Sequence, residues 1–186
     1  MTVYKIAGIR PISIGLLVMR GTERPILSGT RDRTLTIPGR VGAWDYGADL
    51  DVKNFSLNCR FIAKSPAELQ YSAETLARLL IDSYGKPRTF DLSFEDHPDR
   101  TYKVRYSGSL SIERLVGMGD FSLPLTAFDP FAYGPQKLQE LIITQSPQVI
   151  SVRSEGDIRA APEIILTNTG TTTIRRFRIA NEYLVE

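Results

Sequence analysis

Through much of this chain apolar residues recur at every second position, and that period constrains the fold more than any other feature. Phe55, Leu57, Cys59 and Phe61 alternate with Ser56, Asn58 and Arg60; Phe90, Leu92 and Phe94 alternate with Asp91 and Ser93; Tyr102, Val104 and Tyr106 alternate with Lys103 and Arg105. Successive side chains on an extended strand point to opposite faces, so each run reads as a strand with one face in a core. Turn residues separate the runs. The expected class is mainly β, with a first domain built as a β-sandwich or split barrel.

Pairing can be read further. A register with Phe94 opposite Tyr102, Leu92 opposite Val104 and Phe90 opposite Tyr106 also sets Asp91 across from Arg105, so a hairpin turning through Glu95-Asp-His-Pro-Asp-Arg100 is expected. A second hairpin is expected to join residues 109–115 to 120–128 through Val116-Gly-Met-Gly119, with Leu110 and Ile112 facing Leu125 and Leu123. Pro124 has no N–H for a ladder, which points to an edge strand or a bulge. The apolar run 12–19 reads as a strand, being too short to cross a bilayer and followed by Arg20-Gly-Thr-Glu rather than a small-residue cleavage site. No membrane insertion, and synthesis in the cytoplasm, follow from that reading.

One helix interrupts the pattern. Ser65-Pro-Ala-Glu68 spells a capping box with Pro at the first helical position. Leu69, Ala73, Leu76 and Leu80, joined by Ala77, then form a stripe that should dock on a sheet, and Tyr84-Gly85 should end the helix with a left-handed cap. After Gly134 the texture changes. Residues 1–135 read as one domain, and residues 136–186 as a linker with short β runs at 141–144, 149–153, 163–167 and 173–179. So few strands cannot cover both faces of a sandwich, so this reads as an incomplete second β domain.

Two segments combine turn chemistry with aromatics: Ile37-Pro-Gly-Arg-Val-Gly-Ala-Trp-Asp-Tyr-Gly47 and Phe128-Asp-Pro-Phe-Ala-Tyr-Gly134. Pro fixes one backbone angle and Gly permits positive φ, so the rings are carried on stiff corners suited to meeting another protein surface. Pro38, Arg40, Trp44, Tyr46, Phe131 and Tyr133 are the candidate contact residues.

No set of residues points to catalysis. The single cysteine excludes an internal disulfide and a thiolate zinc site, and Cys59 shares a strand face with Phe55, Leu57 and Phe61, which makes it a core thiol. His97, the one histidine, sits among carboxylates in a predicted turn, where ligands bunched without supporting groups make a poor metal site. There is no Gly-x-Ser-x-Gly elbow, and Gly117-Met-Gly119 precedes strand-like residues rather than a phosphate-binding helix. Nothing singles out a pair of acids for glycoside cleavage. Residues 1–93 carry 13 basic and 9 acidic side chains and the remainder 10 and 12, too even for a nucleic-acid footprint; Arg175, Arg176 and Arg178 around Phe177 read as a solvated face. No catalytic residue, cofactor or metal is expected.

In the order of these features the chain resembles the distal tail protein family of siphovirus-type bacteriophages and prophages. The likeness rests on the Pro38-Gly-Arg-Val-Gly42 turn with the acidic and aromatic residues after it, the strand around Leu57 and Cys59, the capped helix with Leu69 and Leu76, the paired strands beyond, and Asp129-Pro-Phe131; it spans about residues 10–135. The resemblance implies a structural, non-enzymatic protein of the virion tail tip. Its first domain would form a homohexameric ring between the tail tube protein and the tip hub protein, and an outer β-sandwich would hold receptor-binding proteins. Two departures stand out: Val41 occupies a position that is often polar in such proteins, and the region after Pro135 is short for the outer sandwich, so a reduced or truncated outer domain is expected. A carbohydrate-binding β module is the alternative reading, and a cell-wall hydrolase of the tail tip the third.

Overall fold

The computed structural model describes residues 3–115, 118–158 and 161–180. Within them the chain runs β1 (Val3–Ile6), a 3-10 turn (Pro11–Ile14), β2 (Leu16–Val18), β3 (Thr30–Leu35), β4 (Trp44–Leu50), β5 (Lys53–Ile62), α1 (Pro66–Leu80), β6 (Thr89–Phe94), β7 (His97–Tyr106), β8 (Glu113–Leu115) and β9 (Met118–Ala127). One antiparallel sheet has the order β1-β6-β7-β9-β5-β2, with β8 also on β9, while β3 and β4 pair only with each other. The edge strands β1 and β2 line opposite sides of one groove of about 240 Å³, contributing Val3, Tyr4, Leu16, Leu17 and Val18. The sheet therefore nearly closes, as a barrel-like form open between β1 and β2.

The alternation predicted from sequence is what fills its interior. Phe55, Leu57, Cys59 and Phe61 on β5 are buried, and β9 sets Leu125, Leu123 and Phe121 opposite the first three and Gly119 opposite Phe61. Leu92 and Val104 complete the layer from β6 and β7. Removing each large side chain from water contributes about 2 kcal/mol. On the outward face of the same ladder Arg60 opposes Asp120, and its Nε and Nη2 donate to the two carboxylate oxygens at 2.6 Å each.

Helix α1 closes one side. Ser65 Oγ accepts from the Glu68 N–H at 3.2 Å as the capping box requires, but Glu68 Oε2 accepts from the Lys64 N–H at 2.7 Å instead of that of Ser65. Leu69, Leu76 and Leu80 are buried, but Ala77 is exposed, and Ser72, which was not expected on the stripe, is buried instead. The helix also ends earlier than predicted. Ile81 turns extended and bridges Pro87, and Asp82 Oδ1 accepts from the N–H groups of Tyr84 and Lys86. The left-handed Gly85 serves this turn, not the helix cap.

Three pairing expectations are corrected. In the β6–β7 hairpin Leu92 opposes Tyr102 and Asp91 opposes Lys103, because the turn tightens to Glu95-Asp96 and a bulge follows Ser93. A shift of two residues keeps every side chain on its predicted face, so the pattern could not detect it. The hairpin from β8 is shorter than expected, with pairing confined to Glu113–Leu115, because β7 takes Leu125 and Thr126 on that side of β9 while β5 takes the full length of the other. Residues 116 and 117 of its turn lie outside the described residues. Pro124 is consequently on an interior strand, where β7 pairing ends at Leu125 and β8 pairing begins at Asp120, so its absent N–H falls in a gap of the ladder. The run 12–19 likewise divides into the 3-10 turn and the short β2, broken at Gly15 with φ of 69°.

Residues 1–139 and 140–186 separate into two units by packing. In the second unit none of the predicted β runs carries a ladder among the described residues. Val149 is 95% exposed and Ile142 82%, so the alternation there has neither neighbour nor core to act upon.

Candidate assembly surface

The Pro38–Tyr46 corner sits at the end of a two-stranded arm. Strands β3 and β4 pair Thr30 with Leu50, Arg31 with Asp49 and Leu35 with Trp44, and every residue from 29 to 50 is exposed. The register slips between Asp32 and Thr34, where Tyr46 and Gly47 together face Arg33. Gly47 has φ of 90° there, and its N–H donates to Asp45 Oδ1 at 2.8 Å, a local turn that produces a bulge and adds twist. Two residues before that bulge, Trp44 shares a face with Leu35 and with Tyr46. That face is an apolar stripe in water, with Trp44 49% and Tyr46 65% exposed.

The tip is shaped by Pro38, by Gly39 and Gly42 at positive φ, and by the Arg40 guanidinium lying 3.9 Å from the Trp44 ring centroid. Stacking of this kind holds an arginine flat while its N–H edge stays free. Val41 is 99% exposed at the apex. Along the shaft Arg31 pairs with Asp51 at 2.9 Å, and Arg33 pairs with Asp49, whose carboxyl is held below its ordinary range by hydrogen bonding to Arg33.

Phe131 and Tyr133 belong to a different element. Asp129 Oδ1 accepts from the Phe131 N–H at 3.1 Å and Oδ2 from the Tyr133 hydroxyl, which raises the phenol pKa. Tyr133 also exchanges both backbone hydrogen bonds with Thr101, at 2.8 and 2.7 Å, covering β7 where β9 has diverged from it. Thus Asp129-Pro-Phe131 ties the chain back onto the sheet and leaves both rings half-exposed. Beside it Arg105 lies 4.4 Å from the centroid of Phe128. The structure brings Arg40 to Trp44 and links Phe131 and Tyr133 through Asp129, as two separate groups.

Leu35, Phe128 and Arg105 were missed as surface residues, as was the arm itself. The signal for the arm was present: Arg31 and Arg33 alternate on one strand and Asp49 and Asp51 on the other, opposite charges at strand spacing. Elsewhere the chemistry is sparse. Cys59 is fully buried and burial pushes its thiol up to about 12. Among the described residues no three His, Cys, Asp or Glu side chains converge on a metal-sized space, and no helix is long and apolar enough to cross a membrane.

Comparison with known proteins bears on this geometry. Residues 12–127 match the family profile described as phage tail protein RIFT-related domain. No curated protein matches the chain. Among solved structures, the SPP1 Dit (gp 19.1) protein, described as a paradigm of the hub adsorption apparatus in phages infecting Gram-positive bacteria, is similar with a TM-score of 0.60 and 21% identity. The match covers 72% of this chain and 52% of that one, so the chain spans about half the length of that relative.

Proposed function

We propose a function from one premise: this chain belongs to the phage tail protein RIFT-related domain family and is a structural protein of the siphophage tail. In this reading copies associate side by side into a closed ring, hexameric by family resemblance, between the tail tube protein and the tip hub protein. The ring is part of the virion tail tip, made in the host cytoplasm, and carries no catalysis. Residues 1–135 build it, and residues 136–186 begin an outer β domain that receives receptor-binding proteins.

The observation that carries this reading is the β3–β4 arm. A two-stranded hairpin standing in water is marginal by itself, yet this one presents Leu35, Trp44 and Tyr46 on one face. Such a surface is explained by a neighbour that covers it. A ring requires heterologous contacts, in which one side of each subunit complements a different side of the next. The arm and the Phe131–Tyr133 corner are the proposed contact elements, since rings held on stiff turns lose little side-chain entropy on docking.

Trp44 is the only tryptophan, so its emission reports on the arm alone. Native mass spectrometry of the protein should show a ring mass, and tryptophan emission should shift blue as the ring forms. The double variant Trp44→Ala, Tyr46→Ala should keep the far-ultraviolet circular dichroism of the parent and lose assembly by at least about 2 kcal/mol per contact, roughly thirtyfold in protein concentration. Unchanged assembly by a folded double variant would remove the arm from the interface.

A further inference from the structure

The arm leaves the sheet through residues 24–29, a stretch without strand structure that is held by two cations. Lys53 occupies the first inward position of β5, in line with Phe55, Leu57, Cys59 and Phe61, and is itself 5% exposed. A lysine in that row is unexpected for a core position. Its Nζ lies 5.1 Å from the Tyr102 ring centroid and donates to the Ile26 carbonyl at 2.9 Å. Arg24, from the stretch itself, lies 4.0 Å from the Phe94 ring centroid, and its Nη1 donates to both oxygens of Asp96 at 2.9 and 2.8 Å. Phe94 and Tyr102 meet edge to face at 6.3 Å, and both pack against Phe55.

Two charges thus close on one aromatic platform, one from β5 and one from the loop. Backbone bonds finish the attachment: the Glu23 N–H donates to Ser56 at 2.8 Å and the Asp51 N–H to Gly29 at 2.8 Å. Ser28 Oγ is buried with no hydrogen-bond partner among the described residues, so that hydroxyl adds nothing to the hold. A two-stranded arm whose root is clamped at both strands projects in a set direction. With the root free, the same arm would sample many directions, and docking on a neighbour would carry the cost of ordering it.

We infer that Lys53 and Arg24, acting with Asp96 on the Phe94–Tyr102 platform, are positioning residues that fix the direction of the β3–β4 arm. This deepens the ring reading, because its use is to present the arm to the next subunit, but the clamp is tested apart from any ring. Spin labels are placed on Val41→Cys at the apex and Glu74→Cys on α1 of the full chain, with excess unlabelled protein to isolate single subunits; the buried Cys59 stays unmodified. The inter-label distance distribution should be narrow in the parent and at least about twofold broader with Lys53→Met or Arg24→Gln added. The Glu23 and Asp51 amides should exchange roughly tenfold faster, as expected when a charge-assisted hydrogen bond leaves a local opening equilibrium, while β5 and β9 amides keep their rates. A distribution as narrow as the parent's in both variants overturns the proposal, and so does faster exchange spread evenly over β5 and β9, which marks general loss of stability. Lys53→Met keeps the apolar stem and guards against misfolding. A clamp that passes while native mass spectrometry shows only monomer would reject the ring and leave the positioning role standing.

Discussion

The β5–β9 ladder and the β3–β4 arm are made from the same parts and have opposite surroundings. Both are antiparallel, both carry Arg–Asp ion pairs between their strands, Arg60–Asp120 in one and Arg33–Asp49 in the other, and both place aromatic rings on one face. In the ladder that face is sealed by β6, β7 and α1; in the arm it is in water. The difference teaches that pairing and charge complementarity specify which strands meet, whereas burial decides whether the pair contributes to the stability of the fold or awaits a partner.

The largest test of this contrast is truncation on the two apolar faces. Leu57→Ala, at a residue with no exposed surface, should cost about 3 kcal/mol of unfolding free energy, and Leu35→Ala on the arm under about 0.5 kcal/mol, both read from urea melts followed by circular dichroism. A loss from Leu35→Ala comparable to that from Leu57→Ala would mean that the arm is packed on the sheet, and the contrast would fail.

A smaller and more local effect is expected at the bulge. Gly47 has φ of +90° with nothing within 4 Å of an added Cβ, so Gly47→Ala adds backbone strain and no clash. That strain is about 1–2 kcal/mol. It should appear as faster amide exchange in β3 and β4 and an altered Trp44 emission, with the urea midpoint unchanged. A shift of the midpoint would show that the arm folds as one unit with the sheet.

This contrast also explains what the sequence made legible. Phe55, Leu57, Cys59 and Phe61 declared their strand because a buried face imposes a period, and the helix declared its start because Ser65 accepts from a first-turn amide and Pro66 has no N–H to satisfy. The arm has no buried face, so its strands left only the Arg31, Arg33, Asp49, Asp51 pattern, while Pro38 to Gly47 announced the tip without the shaft. Register in the β6–β7 hairpin was lost for the opposite reason: the period preserves faces under a two-residue slip, and only the geometry of the Glu95-Asp96 turn and its bulge selects one pairing. The positions 149–179 carried a strand period that no neighbour uses among the described residues. Lys53 was invisible as a clamp because nothing local distinguishes a lysine that ends a core row from one that faces solvent.

The smallest effect expected separates the two ion pairs by acid. Hydrogen bonding to Arg60 holds the Asp120 carboxyl below its ordinary range, and hydrogen bonding to Arg33 does the same for Asp49. A carboxyl whose pKa is lower in the folded state stabilises that state above its unfolded value of about 3.9, and the contribution is lost as pH falls through the folded value. Both pairs therefore weaken below about pH 4, but they act on different parts of the molecule. Protonating Asp120 loosens a rung of the ten-residue ladder and lowers the urea midpoint; protonating Asp49 loosens only the arm and registers in Trp44 emission. Asp120→Asn should remove part of the acid dependence of the midpoint and leave that of the emission, whereas Asp49→Asn should do the reverse. If either substitution moved both signals together, arm and ladder would be one cooperative structure, and exposure alone would no longer explain why the chain keeps a hairpin in water.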